Sequence, residues 1–123
     1  MGIKIQIKNI DEFKKFIEDK QKNMQKILPE SVNDATLYLQ NQIKMSIAQG
    51  TNAPVTVDTG RFLNSVDFEA TGENESKVFT DLEYAKFLEY GTSKMASRPH
   101  FRNTAMVEEA NIKQVFNNNL KSL

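Results

Sequence analysis

A chain of 123 residues has the length of one ordinary domain with one hydrophobic core, and two independent domains would each be too small. Apolar residues at 39% and charged residues at 26% exclude a disordered chain. Sixteen Lys plus Arg balance sixteen Asp plus Glu, and there is no cysteine. This excludes a global field drawing the chain onto nucleic acid or an anionic membrane, and also disulfides, thiolate metal sites and Cys nucleophiles.

At the amino end Ile3, Ile5 and Ile7 alternate with Lys4, Gln6 and Lys8, a period of two that predicts a half-buried strand. The interleaved polar residues rule out a secretory signal, nothing downstream is long or apolar enough to span a bilayer, and Gln6 in place of Ser or Thr argues against myristoylation. A cytoplasmic site of synthesis is expected. Asn9 is a plausible helix cap with Glu12 three residues on. Phe13, Phe16, Ile17, Met24, Ile27 and Leu28 then recur at helical spacing. Pro29 either stops this helix, kinks it or opens a new one. Val32, Ala35, Tyr38, Leu39, Gln42, Ile43, Met45 and Ile47 carry the pattern to about Gln49, and Gly50 ends it. Two consecutive helices or one long bent helix are predicted.

Gly50 to Val57 contains Thr51, Asn52 and Pro54 without periodicity or charge, so it is expected to be a surface loop that reorganises when a partner arrives. Asp58-Thr59-Gly60-Arg61 follows. Asp and Thr side chains bond backbone amides two or three residues on, and Gly60 permits a turn that L-residues resist, so the motif should position a strand beginning near Phe62.

Val66, Phe68 and Ala70 alternate with Asp67 and Glu69, Gly72-Glu73-Asn74 supplies turn chemistry, and Val78 with Thr80 alternates again. A hairpin is predicted. Leu82, Ala85 and Leu88, with Tyr84 beside them and Gly91 after them, predict a short helix. Thr92 to Ser97 reads as a loop. Pro99 at a helix start, then Phe101, Thr104, Ala105, Met106, Ile112, Val115, Phe116 and Leu120, predicts one terminal helix that frays near Asn117-Asn118-Asn119. The order describes an α+β fold. A small, mostly antiparallel sheet, made of the amino-terminal strand plus the hairpin, is packed by one long or bent helix and a carboxy-terminal helix.

Reaction chemistry is not visible in these residues. His100 is the lone histidine and has no ligand set at metal spacing. Glu108 and Glu109 are adjacent on a helix and point to different sides. The five glycines are scattered singly, without a phosphate-cradling loop. Asp-Thr-Gly also occurs in aspartic proteases, but such a site needs the motif twice and a small hydroxyl residue where Arg61 stands. No catalytic residue, cofactor or metal is expected.

Tyr84, Phe87 and Tyr90 offer large contact area at low entropic cost, as subunit anchors or as core. Ala85 and Leu88 are the expected core members and Tyr90 the surface one. Between Tyr90 and Val107 there is no acidic residue, while Lys94, Arg98, His100 and Arg102 are present. This segment could meet acidic groups on a neighbouring subunit or DNA in passing, and subunit contact is the favoured reading because tight phosphate clamps would hold DNA in transit.

Four islands in order, Asp58-Thr59-Gly60-Arg61, Tyr84-Ala85, Glu89-Tyr90-Gly91-Thr92 and Arg98-Pro99-His100-Phe101, resemble the small head-tail joining or tail-completion (neck) proteins of tailed bacteriophages over the last two thirds of the chain. His100 stands where an apolar or aromatic residue is more usual, and Asn103 where a second proline often sits. The resemblance implies one joining-like domain over residues 1–123. It implies a non-enzymatic virion protein at the neck or tail, built in the host cytoplasm, that forms an oligomeric ring joining the DNA-filled head to the tail.

Its implied partners are further copies of itself, a head connector or portal-side protein, and a tail terminator or tail-tube protein. A free monomer is compatible with this role. Expected interface residues are Arg61, Tyr84, Tyr90, Lys94, Arg98, His100, Phe101 and Arg102, and expected turn residues are Asp58, Thr59, Gly60, Gly91 and Pro99. The alternative is a nucleic-acid-binding module using the basic segment from Lys94 to Arg102.

Overall fold

The computed structural model describes residues 2–7, 24–56 and 60–121. The helix predicted after Asn9 therefore lies outside the described residues up to position 23. Strand β1 (Ile3–Ile7) is followed by the long helix α1 (Met24–Gln49), the one-turn helix α2 (Arg61–Ser65), β2 (Asp67–Gly72), β3 (Glu75–Thr80), and helices α3 (Ala85–Tyr90), α4 (His100–Val107) and α5 (Glu109–Lys121). The α+β reading is correct, and the sheet is antiparallel with β3 at its centre in the order β1-β3-β2.

The hairpin forms where alternation and turn chemistry place it. Asn74 takes a positive φ of 58° between β2 and β3, a conformation Asn tolerates better than most L-residues. On β3 the alternate residues Ser76, Val78 and Thr80 are buried, and they face α1. Along α1, Leu28, Val32, Ala35, Leu39, Ile43 and Ile47 form the buried stripe at spacings of three and four that place them on one helical face. Thr36 joins the two layers: its hydroxyl donates to the Val32 carbonyl at 2.6 Å and also meets the Ser76 hydroxyl. Gln40 adds a bond from its Nε2 to the Val66 carbonyl at 3.0 Å.

Helix α1 runs through Pro29 without stopping, because an exposed proline near the amino end removes one backbone bond and leaves the buried stripe continuous. Gly50 ends it with φ 71° and a bond from its N–H to the Ser46 carbonyl at 2.8 Å.

Two sequence expectations need correction. The strand expected near Phe62 is helix α2: Gly60 adopts φ 79°, its carbonyl accepts from the Asn64 N–H at 2.9 Å, and the turn drives Phe62 into the core. The terminal helix is two helices, interrupted at Glu108, whose φ and ψ are −92° and 2°. Glu108 is buried, and its carboxylate accepts from the Tyr38 hydroxyl and, at 2.8 Å, from Asn111 Nδ2. That tie holds the junction against α1 and raises the Tyr38 pKa, through the hydrogen bond first and burial second. The fraying expected at 117–119 is absent, since Asn119 donates to Ser31 Oγ at 2.9 Å and to Asp34 Oδ2 at 3.1 Å.

Candidate assembly surface

The carboxy-terminal end of α1, the loop 50–56, helix α3, the turn 91–99 and the start of α4 meet at one end of the molecule. Phe62 is their hub. Its ring lies 6.5 Å from that of Tyr84, 6.2 Å from His100 and 6.4 Å from Phe101, centre to centre. Phe62 and Phe101 are buried, and burying a side chain of this size contributes about 1.5–3 kcal/mol each, so the hub fixes α2, α3 and α4 relative to α1.

Glu89 closes the next layer. It projects from α3, is 1% exposed, and accepts from the backbone N–H of Phe101 at 3.0 Å and of Arg102 at 2.9 Å. Those amides belong to the first turn of α4, which has no intrahelical acceptors for them, and the helix dipole favours a negative group there. Arg102 completes the pairing. Its Nε lies 3.1 Å from Glu89 Oε2, another guanidinium nitrogen donates to the Glu89 carbonyl at 2.7 Å, and the guanidinium sits over the Tyr90 ring at 4.5 Å.

Gly91, at φ 77°, lets the chain leave α3 against the returning strand. A Cβ there would lie 2.8 Å from the Met95 carbonyl oxygen and 2.9 Å from the Ser97 nitrogen. A short bridge between Thr92 and Met95 follows, and Arg98 N–H donates to the Leu88 carbonyl at 2.5 Å. Pro99 is the residue preceding α4. The Glu-Tyr-Gly-Thr and Arg-Pro islands are thus two halves of one joint.

His100 is fully buried beneath this joint. Its Nδ1 lies 2.7 Å from Ser46 Oγ and its Nε2 2.8 Å from Thr56 Oγ1, while the Thr56 hydroxyl donates to the Pro54 carbonyl at 2.7 Å. A neutral ring with the proton on Nε2 satisfies the whole set: Nε2–H donates to Thr56 and Nδ1 accepts from Ser46. Burial, with the Arg98 cation adding to it, pushes the imidazole down to about 4, against a raising contribution from the Pro54 backbone.

The loop 50–56, expected to reorganise freely, is laced down. Thr56 N–H donates to the Ile47 carbonyl at 2.9 Å, Asn52 Nδ2 to Thr104 Oγ1 at 3.0 Å, Asn103 Nδ2 to the Asn52 carbonyl at 2.9 Å, and Arg98 to the Val55 carbonyl at 3.2 Å.

Of the sequence-predicted interface residues, His100 and Phe101 are therefore corrected: both are interior, filled around by Phe62 and α1. Arg102 is half-exposed and already paired with a buried carboxylate. Arg98 is half-buried, and Arg61, Tyr84, Tyr90 and Lys94 lie at the surface. Gly60 and Gly91 hold the left-handed turns expected of them, whereas Asp58 and Thr59 lie outside the described residues, and with them the protease alternative. Glu89 is a site residue without an expected role in the sequence, its signal being its position as the lone acid among Lys86, Lys94, Arg98 and Arg102. Phe87, equally a subunit anchor or a core residue by sequence, is 53% exposed and stands beside Tyr90 at 59% on the outer face of α3. Among the described residues no group of His, Asp or Glu is arranged to hold a metal ion, and no helix is long and apolar enough to cross a membrane.

The fold and this end of it define a small α+β protein that presents exposed rings and cations from a rigid base. Residues 11–91 match the family described as "Bacteriophage HK97-gp10, putative tail-component", and the chain belongs to this HK97-gp10-like family of phage tail components. No curated protein and no solved structure gives a significant match.

Proposed function

We propose that this chain acts as one structural domain over residues 1–123. In this reading copies of it form a ring at the phage neck, which joins the DNA-filled head to the tail during assembly, without catalysis. The observation that carries the reading is the α3–α4 end. Phe87, Tyr90, Lys86 and Lys94 are solvent-facing there, while Glu89, His100 and Phe101 beneath them are locked by buried bonds, a combination suited to docking by preformed shape. Membership of a phage tail-component family supports the virion as its place of action. The proposed partners are other copies, a portal-side connector protein and a tail terminator or tail-tube protein, with DNA only passing through.

The nucleic-acid alternative is less favoured, because Arg102 is engaged by Glu89 and Arg98 by the Val55 carbonyl. The reading is tested in phage-producing cells carrying the paired substitution Phe87→Asp and Tyr90→Asp. Accumulation of filled heads and separate tails is the expected result. A normal yield of joined particles, with the variant protein folded and abundant, would overturn it.

A further inference from the structure

The chain is neutral overall, but two of its segments carry opposite net charge. Between Tyr84 and Arg102 there are four cationic side chains (Lys86, Lys94, Arg98, Arg102) against one acid, Glu89; in the hairpin from Asp67 to Thr80 there are four acids (Asp67, Glu69, Glu73, Glu75) against one cation, Lys77. The structure sets the basic segment and the hairpin tip, which carries Glu73 and Glu75, at opposite ends, while the base of the hairpin at Asp67 and Thr80 adjoins α2 and the lead into α3. The basic end packs on the last turns of α1, where His100 bonds Ser46. The hairpin tip lies beside Pro29, Val32 and Asn33 near its first turns, where Phe68 and Ala70 complete an open, mostly apolar groove of about 260 Å³. Val32 and Ser46 are 14 positions apart on α1, so the two sites stand about 20 Å apart along the helix at 1.5 Å rise per residue.

From this juxtaposition we infer that the groove between α1 and the hairpin receives the α3 face of a second copy of this chain, Phe87 and Tyr90 seating on Val32, Phe68 and Ala70, with Lys86 and Lys94 against the acidic hairpin rim. The inference rests on the self-assembly reading above and specifies its contact. The occupant is a second copy because each end offers what the other lacks: protruding rings with cations at one, an apolar recess with carboxylates at the other. Among the described residues no strand pairs beyond the β2 edge. Since the two patches differ, the contact is head-to-tail, the type that closes into a ring when its rotation permits. A two-fold dimer whose axis passes through either patch would instead bring like charges together.

The cysteine-free sequence allows a direct test with the full chain. Phe87→Cys and Ala70→Cys proteins are mixed at millimolar concentration under mild oxidation and the disulfide-linked products identified by mass spectrometry. Mixed dimers should exceed either homodimer by roughly tenfold or more. They should be lost when the Phe87→Cys chain also carries Lys86→Glu and Lys94→Glu, and recovered when the Ala70→Cys partner then carries Glu73→Lys and Glu75→Lys.

Phe87→Cys linking mainly to itself would overturn the contact while leaving self-assembly intact. An Ala70→Cys thiol shielded from small reagents in the dilute monomer would show the groove filled by its own chain, and would overturn it too. Charge-reversed variants that still self-associate but fail to join heads to tails would assign these surfaces to another virion protein, with the same consequence. Absence of any link at millimolar concentration would also overturn it, and the neck role would still be judged separately by the unjoined-particle test.

Discussion

Glu89 and Arg102 are joined twice, side chain to side chain at 3.1 Å and guanidinium to backbone carbonyl at 2.7 Å, while the same carboxylate terminates the helix that bears Arg102. One buried acid thereby secures both the start of α4 and the end of α3. Removing it leaves a half-exposed arginine without its partner and strands two helix amides, and a buried polar group left unsatisfied costs about 1–3 kcal/mol. Glu89→Ala should lower the unfolding free energy measured in urea by that order, and Arg102→Ala by less, because its side chain is half in water and the helix amides keep their acceptor. Equal losses measured by equilibrium unfolding would contradict this division of roles.

The buried imidazole gives the fold a pH dependence of definite sign. His100 is held to about 4 when folded and returns to about 6.5 when unfolded. The unfolded chain therefore binds more protons between those values, and stability falls as pH drops through that window. Its full extent is about 3 kcal/mol, taken as an order of magnitude. Urea titrations at pH 7 and pH 4.5 should show this loss in the wild type. In His100→Gln, less stable at neutral pH, the His100 part of the slope should vanish.

Tyr38 and Glu108 should behave as a coupled pair across the α4–α5 junction. Tyr38→Phe leaves the buried carboxylate with Asn111 as its remaining side-chain donor among the described contacts, a loss of about 1–3 kcal/mol. A double-mutant cycle with Glu108→Gln should return a coupling energy of about 1 kcal/mol or more. A value near zero would place the helix break elsewhere.

At Gly91 both geometry and space oppose a side chain. Gly91→Ala demands a left-handed φ of 77° and a Cβ within 2.8 Å of the Met95 carbonyl, a penalty of about 1–3 kcal/mol. The thermal midpoint should fall. The amide exchange of Arg98, whose N–H bonds across the turn to Leu88, should quicken first.

The legibility of this molecule in its sequence follows the range of its interactions. The hairpin, the end of α1 at Gly50 and the α3 stop at Gly91 were readable because alternation, turn residues and positive φ are local properties. Pro29 was ambiguous since only tertiary packing decides whether a helix survives a proline near its start. Glu108 breaks the last helix through a partner 70 residues away, and Phe62 becomes helical because its ring is needed among Tyr84, His100 and Phe101. No window of sequence carries either fact. The basic segment misled in a related way: counted along the chain Arg102 looks available, but in three dimensions Glu89 lies underneath it. His100 and Phe101 were placed at an interface by their neighbours in sequence and are interior by their neighbours in space.

The seam between the loop 50–56 and α4 is made chiefly of uncharged groups: Asn52, Asn103, Thr104, Ser46 and Thr56. Dissolved ions barely screen such bonds, yet they strongly weaken attraction between exposed charges. Concentrated brine should therefore release any partner held by the surface lysines while the protein itself stays folded, so that detachment and denaturation answer to different solvents.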